Sequence, residues 1–170
     1  MESRRTFLKQ MLALGAAVAL GGRWRIPVTA LAEPGFSSRQ LAGQRVIYSY
    51  PGLEVPDALL AEVRAGTVGG VIFFGENVAS DDQIATVVAQ LRAAQQQSPM
   101  SAPLLLMTDQ EGGLVRRLPG APEQSAKQIG QAADPAGAAS AAGAAAGQNL
   151  AGVGMNVNLA PVLDVYHAAG

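Results

Sequence analysis

Asp109 and Glu111 flank Gln110 directly after the apolar run Leu104-Leu105-Leu106-Met107-Thr108, and Gly112-Gly113 follow them. A carboxylate accepts hydrogen bonds from two neighbouring hydroxyls at once, and bonds to an ionised acceptor are the strong ones. Two acidic groups at the C-terminal end of a buried strand therefore stand where an α/β enzyme presents polar side chains to a ligand. The Gly pair predicts a sharp turn and leaves room for a ligand to approach the backbone. A solvated turn after a core strand would use the same residues, and the pentapeptide alone supports both readings.

The strand carrying this pair is one of four expected. Residues 45–48, 70–74, 104–108 and 155–159 are short apolar runs, and 70–74 is apolar at successive positions, as a strand buried on both faces should be. A helix is expected over 56–65, with Pro56 at its first position and Gly66 just beyond its end. A second begins at a Ser80 or Asp81 cap and buries Ile84, Val87, Val88 and Leu91, spaced i, i+3, i+4, i+7. Residues 109–124 read as loop. A helical region in two parts follows, its main piece 135–151 behind an Asp134 cap and ending at Gly152. The Ala/Gly content of 132–152 suggests low complexity, but the cap, the polar Gln148-Asn149 and Leu150 argue for a closely packed helix. Gly137, Gly143 and Gly147 weaken it in isolation, so packing must hold it. Alternating βα units imply a parallel sheet with right-handed crossovers.

Composition narrows the function classes. The formal charge of −1 with no basic patch gives no sign of a nucleic-acid partner. There are no cysteines, hence no disulfide and no thiolate metal site, and the single His167 cannot by itself make a His-based zinc site. With 15% charged and 49% hydrophobic residues the chain should bury most of itself.

Residues 1–32 read as an export address. Ser3-Arg4-Arg5-Thr6-Phe7-Leu8-Lys9 matches the twin-arginine pattern, and the apolar stretch after it, 11–22, is too short to span a bilayer stably. Ala30-Leu31-Ala32 offers a small-x-small cleavage site, with residues 33–43 as linker. Arg23 and Arg25 keep open the alternative of an uncleaved anchor. Cleavage would leave no membrane span and place the protein outside the cytoplasmic membrane, in the periplasm, on the cell wall or beyond.

The stretch from Leu105 through Asp109-Gln110-Glu111-Gly112-Gly113-Leu114-Val115-Arg116-Arg117-Leu118 resembles the signature of family 3 glycoside hydrolases. It is most similar to their β-N-acetylhexosaminidase branch, whose pattern reads Asp-Gln/His-Glu-Gly-Gly-x-Val-x-Arg-Leu/Phe. Gly69-Gly70-Val71-Ile72-Phe73-Phe74-Gly75-Glu76-Asn77-Val78 resembles the second-strand motif of that family. Gly154-Met155-Asn156-Val157-Asn158-Leu159-Ala160-Pro161-Val162-Leu163-Asp164-Val165 resembles its fourth-strand motif. The resemblance runs from Gln44 to Val165.

It implies an α/β fold, a (β/α)₈ barrel of the TIM type, of which residues 44–170 supply about the first four βα units. Such barrels take about 250 residues and rarely fewer than about 200, so the sequence reads as the N-terminal part of an interrupted or incompletely read gene. The alternative is a smaller flavodoxin-like sheet complete in itself. In a barrel, one of Asn156 and Asn158 is expected to face the interior and bond between strands.

For chemistry, the resemblance implies retaining hydrolysis of β-linked N-acetylglucosaminides from peptidoglycan or chitin, with no metal or organic cofactor. A β-glucosidase of the same family and a truncated, non-catalytic carbohydrate-binding protein are the alternatives. Retaining glycosidases use a carboxylate nucleophile and a general acid/base flanking the glycosidic bond. The family's nucleophile is an Asp far downstream, and its acid/base an Asp–His pair near a Lys-His-x-Pro-Gly-His-Gly segment. Neither is found here, so no catalytic residue is expected in this sequence, and His167 reads as a surface residue. Asp109 and Glu111 are not expected to be a substitute dyad. By resemblance Asp109 binds sugar hydroxyls in the −1 subsite. Glu111, bonding the turn's N–H groups, and Arg117, pairing with a loop carboxylate, would support it. Asp164 would shape the pocket floor or cap the next loop. Arg116 is expected to be solvated, Leu114 sits at a position that is Arg in some relatives, and Glu76-Asn77 are candidates for the pocket rim.

Overall fold

The computed structural model of the chain describes residues 35–163. The leader, Asp164 and His167 lie outside the described residues. Four parallel strands form one sheet: β1 (Ile47–Tyr48), β2 (Gly70–Phe73), β3 (Leu105–Thr108) and β6 (Val157–Asn158), side by side in chain order. Helix α2 (Asp57–Ala65) connects the first pair and α3 (Asp81–Gln95) the second. Between β3 and β6 come a hairpin, β4 (Gln110–Gly112) and β5 (Val115–Arg116), then α4 (Ala126–Gly130) and α5 (Pro135–Gly152). A flavodoxin-like sheet reverses its order after the first strand. The sequential order is instead that of successive strands in a (β/α)₈ barrel.

Register shows which face does what. Val71 pairs with Leu106 and Phe73 with Thr108, so these side chains share one side of the sheet. Val71, Phe73 and Leu106 are buried there with Leu59 and Val63 of α2 and with Ile84, Val87, Val88 and Leu91 of α3, the four apolar positions read from the periodicity. The opposite side carries Ile47, Gly70 and Leu105 in register. Ile47 remains 41% and Leu105 40% exposed on what corresponds to the inner face of a barrel. Among the described residues no helix is long and apolar enough to cross a membrane.

Local signals set most boundaries. The Ser80 side chain accepts from the Gln83 N–H, and that of Asp134 from the Gly137 N–H, closing the starts of α3 and α5. Pro56 is the cap of α2 rather than its expected first residue, the helix starting at Asp57, and Gly66 at φ 76° ends it. All four strands are shorter than expected, β2 and β3 by one residue each and β1 and β6 by two and three, the last two because flanking N–H groups are already used. Arg45 and Val46 donate to Ala42 and Gly43, and Met155 donates to Leu150.

Three features depart from the expectations. Residues 38–43, expected within a linker, form a helix, α1 (Ser38–Gly43), behind a Ser37/Gln40 capping box. It docks on the far end of α2: Gln40 Nε2 donates to the Ala65 carbonyl at 3.0 Å, and Gln44 Nε2 to Gly66 and Val68 at 3.1 and 3.2 Å. Within 109–124, β4 and β5 pair antiparallel with an irregularity between Gln110 and Gly112, where the expectation is loop. The Gly pair does turn the chain, at φ 96° and 61°, but the space beside it is not left for a ligand. A Cβ on Gly112 would lie 2.2 Å from the Gln124 carbonyl oxygen, and one on Gly113 2.8 Å from the Ser125 Cβ. Helix α5 forms as expected yet buries only Ala146 and Leu150, so most of its small-residue surface is open.

Two predictions follow from these contacts. Gly112→Ala, facing both a positive φ and a backbone oxygen, should cost at least about 2 kcal/mol in urea denaturation; a change within about 0.5 kcal/mol, ordinary for a surface site, would contradict the tight approach. The second concerns Glu62, whose carboxyl is held below its usual value of 4.5, first by the Thr67 hydroxyl and then by Arg39, against an opposing effect of desolvation. A lowered folded value means stability present above pH 4.5 and lost as pH falls through the folded value. The denaturation midpoint of the wild type should therefore drop more than that of Glu62→Gln between pH 7 and pH 3; equal drops would remove Glu62 from the acid response.

Candidate functional site

β3 reaches its C-terminal end anchored on both sides. Thr108 Oγ1 donates to the Phe73 carbonyl at 2.8 Å on one flank, and the Leu159 N–H donates to the Thr108 carbonyl at 3.0 Å on the other. Asp109 is the next residue, half-buried at the mouth of the sheet. Nη2 of Arg117 lies 3.5 Å from its Oδ2, and no other partner engages its carboxylate among the described residues. That pair is an ion contact rather than a short hydrogen bond, and Oδ1 has no partner among the described residues. The Nε of Arg117 is buried without a hydrogen-bond partner among the described residues, while the Arg117 N–H donates to the Asp109 carbonyl at 3.3 Å.

The hairpin that carries Arg117 back to Asp109 is tied by side chains. Gln110 is 1% exposed. Its Oε1 accepts from the N–H groups of Arg117 and Leu118, both at 3.0 Å, and its Nε2 donates to the carbonyls of Leu118 at 3.2 Å and Ala121 at 3.0 Å. Asn149 of α5 adds donations to Pro119 at 2.7 Å and Ala121 at 3.0 Å, and Arg116, exposed as expected, donates to Gly120 at 2.7 Å. Leu114 stands at the hairpin tip, 100% exposed.

Asn156 and Asn158 both bond between strands, where one was expected to. Asn156 accepts from Leu106 N–H at 2.8 Å and donates to Leu104 at 3.0 Å; Asn158 accepts from Gln110 N–H at 3.0 Å and donates to the Gln110 carbonyl at 3.2 Å. Asn77 is fully buried rather than at a rim. Its Nδ2 donates to the carbonyls of Tyr50 and Gly52, each at 2.8 Å, and its Oδ1 accepts from Phe74 N–H at 2.8 Å, binding the first strand's exit to the second's. Tyr50, beneath it, stacks edge-on against Phe73 with ring centroids 6.3 Å apart. Burial pushes its phenol up to about 12, so it is neutral at ordinary pH.

Glu111 makes no bond to the turn. The Gly113 N–H donates to Glu123 instead, at 3.0 Å, and the half-buried Glu111 carboxylate borders a cavity of about 420 Å³, lined also by Ile129, Ala142, Ala146, Asn158 and Pro161. Asp109 and Glu111 are two apart on an extended segment and so begin toward the same side. What separates them is their partners, for Asp109 faces Arg117 while Glu111 faces the cavity. Asp164 lies outside the described residues. Among the described residues no three His, Cys, Asp or Glu side chains are gathered to hold a metal ion. The residues that organise the site, Gln110, Asn149 and Asn158, are amides with no sequence-level mark of a role beyond their place in the motifs.

Known proteins resemble the chain in sequence and in fold. The chain matches the glycosyl hydrolase family 3 N-terminal domain over residues 39–170. A curated relative from Arthroderma benhamiae, described as an uncharacterized secreted glycosyl hydrolase, is 47% identical over 131 residues, covering 76% of this chain and 36% of the relative. Among solved structures, a β-N-acetylhexosaminidase from Beutenbergia cavernae is similar with a TM-score of 0.64 at 37% identity, over 76% of this chain and 39% of that one. A family 3 β-N-acetylglucosaminidase from a Paenibacillus species gives a TM-score of 0.69 at 34% identity, over 77% and 25%. The chain thus spans well under half the length of each of these three proteins. With the sequential parallel sheet already in place, these matches show that the chain belongs to glycoside hydrolase family 3 and that residues 39–170 lie in that family's N-terminal domain.

Proposed function

We propose that this chain forms part of a retaining β-N-acetylhexosaminidase and supplies the carboxylate that holds the sugar beside the scissile bond. The observation that carries the reading is Asp109. It follows the last residue of a central strand, has an ion-pair partner on one oxygen and none on the other among the described residues, and stands where barrel enzymes bind their ligands. Two adjacent sugar hydroxyls, both donors, suit such an acceptor. Support for the amino-sugar class comes from the similar structures, described as a β-N-acetylhexosaminidase and a β-N-acetylglucosaminidase. The saccharide in this reading is a β-linked N-acetylglucosaminide of peptidoglycan or chitin origin, hydrolysed without a cofactor.

In the same proposal Arg117 keeps Asp109 aimed, and Glu111 borders the adjoining cavity. The nucleophile and acid/base are not among the residues of this sequence, so residues 1–170 alone bind without cleaving. Export by the twin-arginine route is part of the reading, supported by the Ser3–Lys9 pattern and by a relative described as secreted.

The test is hydrolysis of a chromogenic β-N-acetylglucosaminide by the 170-residue chain beside the protein read through to its stop codon. Activity is expected only in the longer protein. There, Asp109→Ala should lower kcat/KM by about 10²-fold or more, the worth of two charge-assisted hydrogen bonds. Turnover by the 170-residue chain, or an Asp109→Ala enzyme with unchanged kcat/KM, would contradict the assignment.

A further inference from the structure

Every hydrogen-bonding position of the Gln110 side chain is taken. Two donors go to Leu118 and Ala121, and two acceptor positions are filled by Arg117 and Leu118. Its backbone is held as fully, both the N–H and the carbonyl being bonded to the one amide of Asn158. The residue before Gln110 is Asp109. The residue whose N–H it grips is Arg117, whose guanidinium faces Asp109 at 3.5 Å. Gln110 thus spans the interval between the carboxylate and its cation, and Asn158 fixes the peptide planes on which the carboxylate is mounted.

We propose that Gln110 and Asn158 are positioning residues for Asp109, holding the open oxygen of its carboxylate in one direction by clamping the hairpin to the ends of β3 and β6. A buried amide is costly to desolvate, and an apolar side chain of the same size would fill the space without that cost. What the amide adds is direction: four bonds of fixed geometry across a segment that has almost no ladder of its own. A one-ångström drift of the Arg117 segment would leave the hairpin packed and turn the carboxylate away from its ligand. The inference rests on the reading of Asp109 as the sugar-binding carboxylate.

The experiment is a double-mutant cycle in the protein read through to its stop codon. KM and kcat are measured on a chromogenic β-N-acetylglucosaminide for Gln110→Met, Asp109→Ala and the double variant, below each one's unfolding midpoint. Gln110→Met removes all four bonds at similar volume and should raise KM by about tenfold. Gln110→His regains one donor and one acceptor and should recover part of that loss. In the Asp109→Ala background Gln110→Met should raise KM no further, because no carboxylate is left to aim. An equal rise with and without Asp109 would mean that Gln110 serves the hairpin alone and would overturn the proposal. If Asp109→Ala itself leaves kcat/KM unchanged, the sugar-site reading fails first and the positioning role fails with it. Should Gln110→Met not fold, Asn158→Ala is taken through the same cycle under the same criteria.

Discussion

A chain that crosses the mouth of a sheet without regular structure still needs partners for its backbone carbonyls, from water where it is exposed and from the protein where it is buried. From Leu118 to Ala121 it finds them all in side chains: Gln110 serves Leu118, Asn149 serves Pro119, Arg116 serves Gly120, and Gln110 and Asn149 share Ala121. This one requirement links the hairpin to α5 and to the end of β3. It also sets where Arg117 can stand, and through Arg117 what Asp109 faces.

The sheet uses the same device. β6 pairs with β3 over only two residues, Met107 with Val157 and Thr108 with Asn158. Asn156 extends that pairing backward to Leu104 and Leu106, and Asn158 extends it forward to Gln110, so a two-residue ladder is bonded over the length of a much longer one. Asn77 does equivalent work between the exits of β1 and β2. Side-chain amides thus hold the C-terminal ends of neighbouring strands in a fixed relation, and those ends are where a barrel assembles a binding site from several strands.

The parts legible in the sequence were those with local causes. Ile84, Val87, Val88 and Leu91 repeat at helical spacing and form the buried face of α3; Ser80, Asp134 and Gly66 terminate their helices through contacts within a turn. The four strands and their order followed from apolar runs and from family motifs. Long-range causes were not legible. Residues 38–43 look like linker because the groups that receive α1 lie over 20 positions away, at Ala65 to Val68. The hairpin escaped notice because its strands are two and three residues long and a bulge breaks their alternation. Gln110 lies inside the motif read for its carboxylates, yet its role depends on Leu118, Ala121 and Asn158, which no periodicity connects to it. The Gly pair was read as space for a ligand, whereas Gln124 and Ser125 occupy that space.

Family membership and site geometry meet at one residue, for Asp109 lies within the matched domain, follows the end of β3 and keeps one carboxylate oxygen without a partner among the described residues. The most direct measurement is the crystal structure, with N-acetylglucosamine bound, of the protein read through to its stop codon. The account places two sugar hydroxyls within hydrogen-bond distance of the Asp109 carboxylate, with Arg117 on its far side. A sugar held elsewhere, with Asp109 facing only Arg117 and solvent, would contradict it.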